Sequence, residues 1–182
     1  LDWVDNGGID DLEVDETIRK PVIAAIEGHC IGVGLALALS CDIRIASETA
    51  VFSFPEVKWG VPAIVGSIRL PRLVPTGVAL EMLLVGEPME AQEAYHIRLV
   101  NRLVPKGMAL AASLEMAQKI AKNAPMAVQA SREVVHRSAT MPLRDAWRLG
   151  EGLRGATRAS ADVREGMTAF RENRREADFS GH

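Results

Sequence analysis

Aromatic residues are scarce, at 4% of the 182 residues, although hydrophobic residues of all kinds make up 48%. The core must therefore be packed from small and medium aliphatic side chains, and so apolar a chain is not a disordered one. Cysteine is nearly absent. Cys30 and Cys41 stand in apolar stretches with no CxxC or Cys/His spacing, which argues against a zinc site or a disulfide framework and for reduced thiols in the cytoplasm. His29, His96, His136 and His182 have no metal-ligand spacing either, so no metal is expected. A net charge of −3 gives no general attraction to nucleic acid. The longest apolar stretch, around Ile31 to Ser40, contains two glycines and is too short to cross a hydrocarbon layer of about 30 Å as a helix, so no membrane partner is expected. The chain opens at Leu1 without an initiator methionine or the basic and apolar regions of a signal peptide, and an upstream segment is expected.

What is present divides into two parts. Residues 2–19 are acidic and interrupted by Asn6-Gly7-Gly8, which reads as surface. Val22 to Ile26 is a short continuous apolar run after Pro21, predicting a strand covered on both faces. A glycine-rich loop, Gly28 to Gly34, follows, and Leu35 to Leu39 reads as a short helix buried all round. Cys41 to Ala46 and Ala50 to Phe54 are two further strands, the second ended by Pro55. Beyond Gly66 the pattern turns helical: Val78 to Leu84 predicts a helix stopped by Gly86, Ala91 to Ile97 another, and Leu99 to Val104 a last strand. From Met108 onward successive amphipathic helices break near Asn123-Ala124-Pro125, Met141-Pro142 and Ala159 to Asp162. The division predicted is an α/β core over residues 1–107 and a helical region over 108–182.

The turn Gly28-His29-Cys30-Ile31-Gly32-Val33-Gly34 joins an apolar strand to a helix, a place where backbone N–H groups can approach a ligand oxygen. It is neither a phosphate loop, because no Lys-Ser/Thr follows, nor a dinucleotide fingerprint, because the third small residue is missing. Taken alone, such glycines more often serve close packing of helix on strand. Their surroundings change that balance. The run from Lys20 to Ala46, KPVIAAIEGHCIGVGLALALSCDIRIA, resembles the signature of the enoyl-CoA hydratase/isomerase (crotonase) family. The resemblance continues through Phe52 to Gly60 (FSFPEVKWG), Arg69 to Arg72, Leu84 to Gly86, Ala91 to Ala94, Leu99 to Pro105 and Arg164 to Arg171.

That resemblance implies a spiral of ββα units followed by C-terminal helices that trimerise, often into a dimer of trimers, and acyl-CoA thioesters as substrates without any separate cofactor. It also implies an oxyanion hole in which one backbone N–H comes from Val33, a proton-transferring carboxylate at Glu56, and substrate contacts at Gly32, Ala36, Trp59, Ala63 and Phe170. The other N–H is expected from an upstream Ala-Gly-x-Asp-type motif that nothing before Lys20 matches. An unplaced glutamate is usually a solvated surface group; the Phe54-Pro55 turn before Glu56 and the matching residues after it are what single it out.

Three departures bear on the reaction. Ala36 stands where hydratases of the family carry their first catalytic glutamate, and alanine cannot transfer a proton. Gly60 to Gly66 (GVPAIVG) carries Ile64 and Val65 where many hydratases have a glycine-rich loop, and Asn173-Arg174-Arg175 replaces a lysine expected after Phe170. Glu81 falls in a predicted helix and is expected to face solvent, and His29 is expected to be a structural hydrogen-bonding group. The expected activity is that of an enoyl-CoA hydratase in fatty acid or related acyl-CoA metabolism. A Δ3-Δ2-enoyl-CoA isomerase using Glu56 alone is the close alternative, and a non-catalytic acyl-CoA-binding or scaffold member is another.

Overall fold

The computed structural model describes residues 18–174 and 176–181. Val22–Leu114 form one compact unit, and Ile18–Pro21 with the chain from Glu115 onward form a second.

The first unit winds through two small sheets. Strand β1 (Ile23–Ile26) is followed after a two-residue turn by β2 (His29–Ile31) and helix α1 (Val33–Ser40); β3 (Ile43–Ser47) and β4 (Val51–Ser53) then repeat the pattern, ending in a 3-10 turn (Pro55–Trp59) and α2 (Ile64–Arg69). A second 3-10 turn (Leu70–Arg72), α3 (Thr76–Val85), β5 (Met89–Glu90), α4 (Ala91–His96) and β6 (Arg102–Val104) follow, and α5 (Ala109–Ala121) starts in this unit and ends in the second. One sheet has the order β1-β3-β6 and is parallel throughout; the other is β2-β4-β5, with β2 parallel and β5 antiparallel to β4. Each strand–strand–helix unit thus lays its first strand on the first sheet and its second strand on the other, which is the expected spiral.

The core is aliphatic with two phenylalanines: Leu35, Ile45, Phe52, Phe54, Leu70, Leu99 and Val100 are almost completely inaccessible. Gly86 ends α3 in the left-handed conformation, φ 68°, as a C-terminal glycine should. Glu27, in the turn between β1 and β2, accepts from the N–H groups of Gly107 (2.9 Å) and Ala109 (2.6 Å), so a residue from the start of the unit caps the start of α5.

In the second unit, α6 (Pro125–Ser138) packs on α7 (Leu143–Arg158), with Gly150 against Val134. Helix α8 (Ala161–Arg171) starts at Ser160, whose hydroxyl accepts from Val163 N–H. The buried Asp162 carboxylate accepts from the N–H groups of Ser180 (2.7 Å) and Gly181 (3.0 Å), tying the segment after α8 back onto that helix. The three helix breaks fall where the proline and small-residue positions predict them.

Four expectations need correction. The glycine-rich segment after β1 is not one loop, because His29–Ile31 form a strand of the other sheet; three residues are too few to show a period. Strand β1 is not covered on both faces, since Ala25 is exposed in this chain. Helix α1 is not buried all round: Val33 and Leu37 are each nearly half exposed. Helical structure resumes at Ile64, before Gly66. Residues 2–17 of the acidic opening lie outside the described residues.

Candidate active site

Parallel pairing brings the site together. Ile31, the last residue of β2, stands opposite Ser53, the last of β4, so the two segments leave the sheet at the same end, where parallel sheets commonly bind ligands. Gly32 N–H donates to Ser53 O at 3.0 Å and extends the ladder by one step. Gly32 itself adopts φ 56°, ψ −121°, a conformation that side chains exclude. The chain turns there directly into α1.

On the other segment, Pro55 occupies the first turn of the 3-10 element and Glu56 follows it. Glu56 O accepts from the N–H of left-handed Gly60 and from Val61 N–H (3.1 Å), which fixes the backbone of the glutamate. Its side chain reaches back over Gly32: a Cβ added to that glycine would lie 3.0 Å from Oε1 and 3.6 Å from Cδ. Oε2 is buried and has no hydrogen-bond partner among the described residues. A buried carboxylate oxygen without a donor is the exception in folded proteins, and here it leaves an acceptor open to a proton of a ligand or water.

The same turn presents the first N–H groups of α1. Val33 is the first helical residue, and α1 has neither a side-chain cap nor an acidic residue in its first turn, so the Val33 N–H has no acceptor within the helix. Arg44 holds the other end of this helix. Its buried guanidinium donates to Cys41 O (2.7 Å), Ala38 O (3.3 Å) and Leu99 O (2.7 Å), a cation set against the last carbonyls of α1. Burial draws the Arg44 pKa below its ordinary value, with Cys41 and Asp42 opposing that shift. The charge at the C-terminal end complements the dipole whose positive end faces Glu56.

Gly32, Val33 and Glu56 are therefore adjacent, and Ala36 joins them through its N–H to Gly32 O (2.9 Å). Ala36 is 4% exposed and part of the core, so no carboxylate enters the site from α1. Trp59 ends the turn that carries Glu56 and is 81% exposed. Ala63 caps α2 and packs against the core, on a segment whose helix contacts α1. Phe170 lies on α8 of the second unit with its ring exposed. Glu81 and His29 are exposed, on α3 and β2. Among the described residues no group of three His, Cys, Asp or Glu side chains could hold a metal ion, and no helix is long and apolar enough to cross a membrane.

Residues 9–182 match the family model for enoyl-CoA hydratase/isomerase. The chain belongs to the enoyl-CoA hydratase/isomerase family. Among its relatives, the short-chain-enoyl-CoA hydratase of Clostridium acetobutylicum is 38% identical over 165 residues, which are 90% of this chain and 63% of that protein. The (E)-benzylidenesuccinyl-CoA hydratase of Thauera aromatica is 40% identical over 156 residues, 85% of this chain and 61% of the relative. The crystal structure of an enoyl-CoA hydratase from Bacillus anthracis superposes with a TM-score of 0.91 at 33% identity, covering 95% of this chain and 67% of that one. This member of the family thus spans about three-fifths of the length of the curated relatives it matches.

Proposed function

We propose that the protein acts on acyl-CoA thioesters as an enoyl-CoA hydratase, with Glu56 as the proton-transferring group and the Val33 N–H as one donor to the thioester oxygen. The observation that carries this reading is the placement of Glu56 over Gly32, with Oε2 buried and unpartnered among the described residues, beside the uncapped start of α1. A helix N-terminus stabilises the oxyanion of a developing enolate without reorganising during the reaction, and loss of one such donor typically costs about 3–4 kcal/mol of barrier. In hydration, Glu56 takes a proton from water as the oxygen bonds to C3, electrons move to the thioester oxygen, and the same carboxyl returns the proton to C2 as the enolate collapses. The names of the Clostridium and Thauera relatives support this direction.

Ala36 favours a second reading, a Δ3-Δ2-enoyl-CoA isomerase. One carboxylate suffices to remove a proton from C2 of a 3-enoyl thioester and return it to C4 while the double bond moves. Incubating the full-length protein with crotonyl-CoA and with a 3-enoyl-CoA, and identifying the products, separates the readings: 3-hydroxyacyl-CoA from the first supports hydratase, 2-enoyl-CoA from the second without hydration supports isomerase. Conversion of neither rejects both.

Fatty acid or related acyl-CoA metabolism follows from the substrate class. Assembly as a homotrimer or dimer of trimers is supported by exposed Val135, Leu143 and Trp147 on the helical unit. A cytoplasmic location is supported by Cys30 and Cys41, whose spacing fits no disulfide framework.

A further inference from the structure

The segment that delivers Glu56 is gripped by glycines far from it in sequence. Phe54 is 1% exposed and separated from Glu56 only by Pro55, whose ring fixes one of the few backbone angles between them. Against the tip of the Phe54 ring stands Gly66 of α2: a Cβ there would lie 2.7 Å from Cζ and 2.9 Å from both Cε atoms. Against the backbone of the same segment stands Gly86, whose added Cβ would lie 3.2 Å from Phe54 O and from Pro55 Cα.

The two glycines differ in a useful way. Gly86 has φ 68° and ends α3, so a need for the left-handed conformation accounts for it without reference to Glu56. Gly66 lies inside α2 and has no positive φ. Alanine is the better residue for a helix interior, so the backbone gives glycine no advantage there. Contact with the Phe54 ring does.

We infer that Gly66 is a positioning residue for Glu56, acting through Phe54 and Pro55. This rests on the reading of Glu56 as the proton-transferring group. Restoring an ordinary carbon–carbon separation from 2.7 Å requires the ring or α2 to give by about 1 Å, and a shift of the buried ring carries the start of the Glu56 turn with it. A misplacement of about 1 Å at a reacting group can cost on the order of a hundredfold in rate.

The test uses the full-length protein with Gly66→Ala, Phe54→Leu and the double variant, measuring kcat and KM on crotonyl-CoA and a 3-enoyl-CoA and recording the NMR chemical shift of the 13C-labelled Glu56 carboxyl. Gly66→Ala is expected to lower kcat about a hundredfold with KM within about threefold and to displace the Glu56 carboxyl resonance. Phe54→Leu, which removes the ring tip, is expected to lower kcat about tenfold, and the double variant to recover to that level. A folded Gly66→Ala protein with wild-type kcat and carboxyl resonance overturns the inference, as does a double variant no better than Gly66→Ala alone. If Gly66→Ala does not fold, Phe54→Leu decides, since wild-type kcat and carboxyl resonance in it overturn the inference. If the wild type converts neither thioester, the proposed activity fails, while the Glu56 carboxyl resonance in the variants still decides the positioning role.

Discussion

Oε1 of Glu56 lies 3.0 Å from the place a Cβ on Gly32 would occupy. Two constraints meet at that glycine, one from the carboxylate above it and one from a backbone conformation that side chains avoid. Gly32→Ala is expected to lower turnover by at least tenfold and to destabilise the fold by about 1–3 kcal/mol, read by steady-state kinetics and by chemical denaturation. An unchanged rate would mean that Glu56 is not held against this turn in solution.

Arg44 supports the opposite end of the same helix. Replacing it by methionine keeps much of the apolar volume but strips Cys41 O and Leu99 O of their guanidinium donor, while Ala38 O keeps the Cys41 N–H. Arg44→Met is expected to cost roughly 3 kcal/mol, because buried acceptors stripped of a partner cost about 1–3 kcal/mol each and the site relaxes in part. A denaturant midpoint unchanged from wild type would rule out this anchoring role.

The two thiols should behave differently. Cys30 is 7% exposed, and burial first, then the neighbouring Cys41, pushes its pKa up to about 11. Since the folded pKa lies above the ordinary value of 9.0, the unfolded chain loses this proton first as pH rises, and stability falls between 9.0 and about 11. Cys30→Ala should flatten that part of the stability–pH curve. At pH 8, alkylation of the native protein is expected at the partly exposed Cys41 and not at Cys30; equal labelling would contradict the burial of Cys30.

Much of this architecture is legible in the sequence alone. Apolar runs ended by proline or glycine locate β1, β4 and α3, and the helix breaks at Pro125, Pro142 and Ser160 follow from backbone chemistry that needs no tertiary contact. The signature around Gly32 and Glu56 marks both residues. What sequence could not show is that β2 and β4 end side by side, because a three-residue strand carries no periodic signal and its pairing is set by the whole spiral. The contact of Gly66 with Phe54 was hidden for the same reason: glycine inside α2 looks like a weak helix position until the ring is placed on it. Arg44 likewise reads as the polar residue of an alternating strand, and only the return of the chain at Leu99 turns it into a buried cap.

Whether Glu56 carries the proton is decided by Glu56→Gln. Glutamine keeps the shape of the side chain but cannot exchange a proton at this position, so the full-length variant should fold like wild type and lose about a thousandfold in kcat on whichever of crotonyl-CoA and 3-enoyl-CoA the protein converts. A folded Glu56→Gln protein that turns over at the wild-type rate would show that Glu56 does not carry the proton.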